Sequence, residues 1–215
     1  MENQLKHSKY NIYMTEFIYE CENFLPSIIC ENLIQYFEGN PDQHTPGRIS
    51  SGVNTNHKIS TDMLLSGSSE YSQNVQNILH AFQVKAFNDY KEYCKIHAMH
   101  GKNILNEIAL MGGFTAIPQI QKTTPGGFYR WHCDSLIYKC SRLLTWIIYL
   151  NDVEEGCGGT TDFMCGKSIQ PKRGKLLVFP ATWTYVHRGK QLTKGVKYLL
   201  SSFIWSGLPD QEGEP

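Results

Sequence analysis

The chain has 215 residues, with 20 Lys plus Arg against 20 Asp plus Glu, and 41% of its residues are apolar. That length suits one domain around one core. The even charge balance supplies no field for drawing in nucleic acid or an anionic membrane. Residues 1–10 are polar and lack the apolar stretch of a secretion signal. No run approaches the ~20 apolar residues that a membrane-spanning helix needs. Seven cysteines, an odd number with no C-x-x-C pair, read as reduced thiols, and the expected location is cytoplasmic.

Residues 1–15 read as a polar lead-in. Ser27 precedes Ile28, Ile29, Leu33, Ile34 and Phe37 at near-helical spacing, and Gly39 follows. This pattern predicts a short amphipathic helix with a serine N-cap and a closing glycine. Residues 39–69 are rich in Gly, Ser, Asn and Pro and read as loops with one short strand. A second helix is expected over 71–97, burying Val75, Ile78, Leu79, Phe82, Phe87, Tyr90 and Tyr93.

After Gly101 the pattern changes. Segments 116–122, 128–133, 143–150, 175–179 and 197–205 are rich in β-branched, aromatic and leucine residues and are separated by Gly, Pro, Asp and Asn. Many short strands of this kind build a sandwich, a jelly roll or a barrel. The expected class is α+β: helices and loops over 1–104 bracing a β-core over 105–206, with a frayed tail at 207–215.

Trp131-His132-Cys133-Asp134 lies where a strand ends. Residues two apart on a strand share a face, so His132 and Asp134 can aim inward together while Cys133 faces away. His187 lies far downstream, just after segment 175–179, and a β-barrel can return it beside that pair. Two imidazoles and one carboxylate on one side of an ion form the facial triad of non-haem iron(II) oxygenases, with positions left for a cosubstrate and O2. His-x-Asp alone describes equally well a hydrogen-bonded strand histidine before a turn-capping aspartate.

Lys197 opens a strand in which Lys197, Leu199, Ser201 and Phe203 share one face. An inward lysine needs an anion to meet it, and a dicarboxylate cosubstrate chelating iron would supply one; an exposed lysine at a strand start is the plainer alternative. Tyr149 can offer its hydroxyl to the same carboxylate or simply fill the core. Trp131, Arg130, Tyr129 and Trp183 flank the ligands and can line a substrate mouth or pack ordinarily. Cys94, His97 and His100 are spaced three apart at a helix end, drift around its face and read as a solvated terminus.

The ordered motifs Pro125-Gly126-Gly127-Phe128-Tyr129-Arg130-Trp131-His132-Cys133-Asp134, Tyr149-Leu150-Asn151-Asp152, Gly158-Gly159-Thr160-Thr161-Asp162-Phe163, Gly174-Lys175-Leu176-Leu177-Val178-Phe179-Pro180, His187-Arg188-Gly189 and Lys197-Tyr198 resemble the prolyl 4-hydroxylase-like branch of the iron(II)/2-oxoglutarate dioxygenases. The resemblance spans about residues 116–205, with a weaker echo of the family's first helix at 24–37. It implies a double-stranded β-helix (jelly-roll) core.

It further implies Fe(II) on His132, Asp134 and His187, and 2-oxoglutarate with its far carboxylate on Lys197. Tyr149 and Ser201 would assist, O2 would be the co-reactant and ascorbate the reductant in vitro. Thr123 stands where many relatives carry a cosubstrate-contacting tyrosine. Asp134, in place of the Gly or Ala of halogenating relatives, points to hydroxylation. The implied substrate is a peptidyl proline, with a free amino acid or small metabolite as the alternative and an inert jelly-roll binding protein as a third reading. A nucleobase demethylase is disfavoured by the neutral charge and by lysine where that branch uses arginine. Specificity is expected in the loops 39–69 and 135–141.

Overall fold

The apolar runs beyond residue 142 are strands buried on both faces, which is why they read as nearly continuous hydrophobic sequence. The computed structural model describes residues 15–66, 70–97, 113–135 and 142–206. In chain order the elements are β1 (Tyr19–Cys21), α1 (Ser27–Glu38), β2 (Thr45–Pro46), β3 (Arg48–Ile49), β4 (Gly52–Val53), β5 (Lys58–Ile59) and β6 (Thr61–Leu64). They continue with α2 (Glu70–His97), β7 (Gly113–Thr115), β8 (Gln119–Thr123), β9 (Phe128–His132), β10 (Arg142–Tyr149) and β11 (Thr161–Phe163). The last are β12 (Ser168–Ile169), β13 (Leu176–Pro180), β14 (His187–Gly189) and β15 (Lys197–Ser206).

An eight-stranded antiparallel sheet runs β1-β13-β10-β15-β8-β6-β2, with β7 also paired to β15. A five-stranded sheet runs β12-β11-β14-β9-β5, and β3 pairs with β4 in a separate hairpin. Alternation sorts the larger sheet's side chains into two cores. Leu144, Trp146 and Ile148 of β10, Leu176 and Val178 of β13, and Leu200 and Ile204 of β15 face outward. There they meet Cys30, Leu33 and Phe37 of α1 and Leu79, Ala86, Tyr90 and Cys94 of α2. Ile147 and Tyr149, Leu177 and Phe179, and Leu199 face inward and meet Phe163 and Ile169 of the smaller sheet. The two sheets therefore face each other as a jelly roll, with both helices packed on the larger one. Each fully buried Leu, Ile or Phe here contributes roughly 1.5–3 kcal/mol.

Several sequence expectations need correction. Ser27 is the first helical residue of α1, not its cap; Pro26 holds the cap position, with no side-chain hydrogen bond. Gly39 ends α1 with φ −78°, so the stop does not use a left-handed glycine. The described residues of 39–69 hold five short strands, not one: β5 extends the smaller sheet, β2 and β6 the larger, and β3 and β4 pair with each other. These strands are too short and polar to show a period. On α2, Ile78 is 49% exposed while Gln83 is buried, so the buried face is turned slightly from the one the apolar pattern suggests. The lead-in 1–14, the loop 136–141, His100 and the tail 207–215 lie outside the described residues. No helix among the described residues is long and apolar enough to cross a membrane.

Candidate active site

β9 ends at His132, and β14 begins at His187 directly opposite it. The pairing then slips: His187 faces His132, but Gly189 faces Tyr129. Between these pairs one residue, Arg188, faces two, Arg130 and Trp131, which is a β-bulge, a device that re-aims side chains. Past the strand end, Asp134 is fixed by its own backbone, its N–H donating to Ala181 O at 3.2 Å and its carbonyl accepting from Arg142 Nη1 at 3.2 Å. Its carboxylate Oδ2 accepts a 2.6 Å hydrogen bond from the Thr145 hydroxyl of the larger sheet.

One donor atom from each of His132, Asp134 and His187 lies within 4.8 Å of the others, and among the described residues this is the one such cluster. Nε2 of His132 is 3.4 Å from Asp134 Oδ1, and Nε2 of His187 is 3.6 Å from Oδ2. Each Nδ1 sits on a backbone carbonyl two residues back: Arg130 O at 2.7 Å and Tyr185 O at 3.1 Å. A carbonyl only accepts, so each Nδ1 carries a proton and Nε2 is the ring nitrogen turned toward the carboxylate. This is the outer-shell arrangement that readies histidines as metal ligands.

Burial pushes His187 down to about 4, against the pull of Asp134. Burial alone would raise the Asp134 carboxyl; His187, His132 and Thr145 outweigh it and hold it below the ordinary carboxylate range. At neutral pH the trio is one carboxylate and a neutral imidazole at His187, the protonation state a divalent cation requires. A nearly enclosed negative charge beside two ring nitrogens fits iron(II).

The second feature is Lys197, 4% exposed. Its ammonium donates to Gly159 O at 2.9 Å, and among the described residues no carboxylate lies within 4.0 Å of it. Burial pushes its pKa down to about 8, with Asp162 pulling the other way. Two glycines lie beside it, and a Cβ on either would stand in ordinary contact, 3.9 Å from Nζ at Gly189 and 3.7 Å from Cδ at Gly159. Gly158 adopts φ +75°, and a Cβ there would fall 1.9 Å from Gln191 O, so only glycine lets this loop press against its neighbour. A buried cation met only by a carbonyl fits one carboxylate of a diacid.

The other expected residues share that interior. Thr123 is buried and pairs with Lys197 across β8 and β15. Ser201, on the same face, accepts from Gln121 Nε2 at 2.9 Å. Tyr149 is fully buried and its hydroxyl shares a 2.6 Å hydrogen bond with Thr161. Gln121 and Thr161 were not anticipated; strand pairing with Leu199 and Gly189 places them inside.

The residues flanking the ligands divide. Tyr129 turns inward and stacks on His132, with centroids 3.6 Å apart. Trp131 is 44% exposed and lies under Arg188, which bonds Asp162 on the face opposite His187. Trp183, 70% exposed, sits in the short 3-10 turn leading to His187. Arg130 is exposed. Cys133 bonds Ser135 O and stays out of the cluster. Cys94 is buried, with burial pushing its thiol up to about 11, while His97 is exposed beside Tyr93.

Two histidines and one carboxylate inside a jelly roll are the donor set that mononuclear non-haem iron(II) oxygenases use. Residues 118–205 match the 2OG-Fe(II) oxygenase superfamily. No curated protein matches the chain in sequence. Among solved structures it is similar to a viral collagen prolyl hydroxylase of Paramecium bursaria Chlorella virus-1, solved as a 2OG complex (20% identity, 89% of this chain and 97% of that one, TM-score 0.60). It is also similar to a Pseudomonas putida prolyl-4-hydroxylase (15% identity, 91% and 98%, TM-score 0.62). A third is a Trichoplax adhaerens prolyl hydroxylase in complex with a hypoxia inducible factor peptide fragment (15% identity, 91% and 88%, TM-score 0.68). These likenesses establish the shared fold. Over residues 118–205 the chain is similar to the iron(II)/2-oxoglutarate oxygenases, and it shares the double-stranded β-helix fold of the prolyl hydroxylases.

Proposed function

We propose that the protein hydroxylates a peptidyl proline, holding iron(II) on His132, Asp134 and His187 and the far carboxylate of 2-oxoglutarate on Lys197. The observation that carries this reading is that the space between the two sheets holds the His132–Asp134–His187 cluster and, on the facing sheet, a buried ammonium that no carboxylate among the described residues pairs within 4.0 Å. Gly189, against that ammonium, is two residues beyond His187 on β14, roughly 7 Å along the strand. That spacing suits a short diacid reaching from metal to lysine. Thr123 and the Gln121–Ser201 pair flank its path, and Tyr149 with Thr161 closes the wall.

When bound, iron and 2-oxoglutarate supply oxidative decarboxylation coupled to oxygen insertion into a C–H bond. The chain's own residues orient and insulate. His132 and His187 present Nε2, the Thr145 hydroxyl steadies Asp134, and the rings of Phe163 and Phe179 shield His187. Water is kept from the reacting centre by the apolar wall of Ile147, Leu177 and Leu199.

The mouth favours a peptide. Arg142, beside Asp134, stacks its guanidinium 3.8 Å from the Phe203 ring and 5.2 Å from Trp205. Among the described residues no carboxylate lies within 4.0 Å of it. Such a group takes an acceptor oxygen from the substrate. A free amino acid would offer Arg142 its carboxylate and is the second reading.

Incubation with 2-oxoglutarate, Fe(II) and ascorbate, using proline-containing peptides and free amino acids in parallel, separates the two. The peptides gain the mass of one oxygen atom on proline; a gain confined to free amino acids sinks the peptide assignment.

The ammonium also dictates a pH response. The folded pKa of Lys197, about 8, is lowered from 10.5, so between those values the unfolded chain holds the extra proton. The cosubstrate-free fold therefore gains stability from this group as pH rises through that window. Carboxylate binding needs the protonated form and runs the other way. Affinity for 2-oxoglutarate, measured calorimetrically with Mn(II) in place of iron, is level below about 8 and falls by up to about tenfold per pH unit above it. An affinity that stays flat through pH 9.5 would remove Lys197 from the carboxylate.

A further inference from the structure

The two histidines of the cluster are held unequally. His187 is 6% exposed and boxed by Phe163 and Phe179, the latter with centroids 4.7 Å away and planes at 70°. His132 is 17% exposed. Apart from its own-strand carbonyl, its planar support is the Tyr129 ring, 3.6 Å away and tilted by only 17°. The β-bulge between His132 and Tyr129 places both side chains on the inner side, where strict alternation would separate them.

Tyr129 is itself clamped. Lys58, directly opposite it on β5, holds Nζ 5.2 Å from the ring centroid. Lys58 is 4% exposed and Asp62 5%. The two form a 2.6 Å ion pair, and Ser60 donates to the other Asp62 oxygen at 2.7 Å. Around Lys58 the chain is close-packed, since a Cβ on Gly47 would meet Lys58 Cε at 3.1 Å and Ser60 Oγ at 2.3 Å. The residue just before β5 also accepts from β9 next to the stack, with Arg130 N–H donating to His57 O at 2.8 Å. A buried ion pair is a poor source of net stability but a strong constraint on geometry when its lone pairs are filled. Here the constrained object is the ring lying flat on a metal ligand.

We infer that Tyr129 is a positioning residue for His132, and that the buried Lys58–Asp62 pair sets the plane of the Tyr129 ring. The inference rests on the assignment of His132 to the metal. It gives residues 58–62 a role in the metal site, although none of them touches the metal.

The test is Co(II) binding, followed by titration and by the visible absorption bands that report the ligand field. Tyr129→Phe keeps the flat ring and binds Co(II) with wild-type affinity and spectrum. Tyr129→Met keeps bulk without a flat face; its affinity falls about tenfold, the scale of losing an outer-shell partner, and its bands shift. Lys58→Met/Asp62→Asn removes both charges together, leaving no unpaired ion in the core, and gives a smaller loss with the same direction of band shift. Circular dichroism confirms native sheet content for each variant. Wild-type affinity and bands in folded Tyr129→Met would overturn the inference. Should wild-type protein bind no Co(II), or bind it unchanged after His132→Ala, the metal assignment fails instead, and the two failures are told apart.

Discussion

His187→Ala abolishes 2-oxoglutarate turnover, measured as succinate released without added substrate. The mutation removes the most enclosed of the three ligands and leaves His132 and Asp134, a pair too few to face a metal from one side. Losing an outer-shell partner costs roughly 10–100-fold in metal affinity, and losing a ligand itself costs more. A physical readout accompanies the kinetic one. A metal that binds only the folded state stabilises it by about 2.7 kcal/mol at a hundredfold excess over Kd. Mn(II) therefore raises the melting temperature of the wild type and leaves that of His187→Ala where it was. A variant with full succinate release and the same Mn(II) shift would take His187 out of the site.

Lys197→Ala weakens 2-oxoglutarate binding while sparing the metal. Truncating one partner of a buried charge pair costs about 2–5 kcal/mol, or about 30-fold in Kd at the lower bound. The wild-type lysine is buried with only the Gly159 carbonyl to meet it, so its removal relieves the cosubstrate-free fold of an uncompensated charge. The melting temperature of the free protein should thus hold steady or rise, even as 2-oxoglutarate affinity collapses. Mn(II) binding should be unchanged, because Lys197 lies on β15 of the larger sheet and supplies no atom to the cluster of His132, Asp134 and His187. Equal 2-oxoglutarate affinity in the variant would mean that the diacid binds elsewhere.

The parts of this site legible in the sequence are those that obey a period. Lys197, Leu199 and Ser201 share a face because β15 is regular, and β10 likewise turns Thr145, Ile147 and Tyr149 inward. What escaped reading lies where the period breaks. Tyr129 joins His132 through a bulge, and Arg142 is displaced by a register shift between Arg142 and Leu144; no count of alternating positions predicts either. The strands over 45–64 are two to four residues long and carry too few side chains to reveal a pattern, so the Lys58–Asp62 pair could not be seen as buried. On α2 a glutamine occupies the buried face and an isoleucine the exposed one, against what apolarity alone suggests. The family motifs conveyed the positions proposed to touch metal and cosubstrate; they were silent on the supports behind them.

The two walls of the barrel are built differently. His132 and His187 belong to the five-stranded sheet, and Lys197 and Thr145 to the eight-stranded one that the helices back. A diacid held between the proposed iron ligands and Lys197 would span the seam between the two walls and so work as a rivet. Loading the site ties the looser wall to the stiffer, and slowed amide exchange belongs on the strands of the five-stranded sheet, on which no helix among the described residues packs.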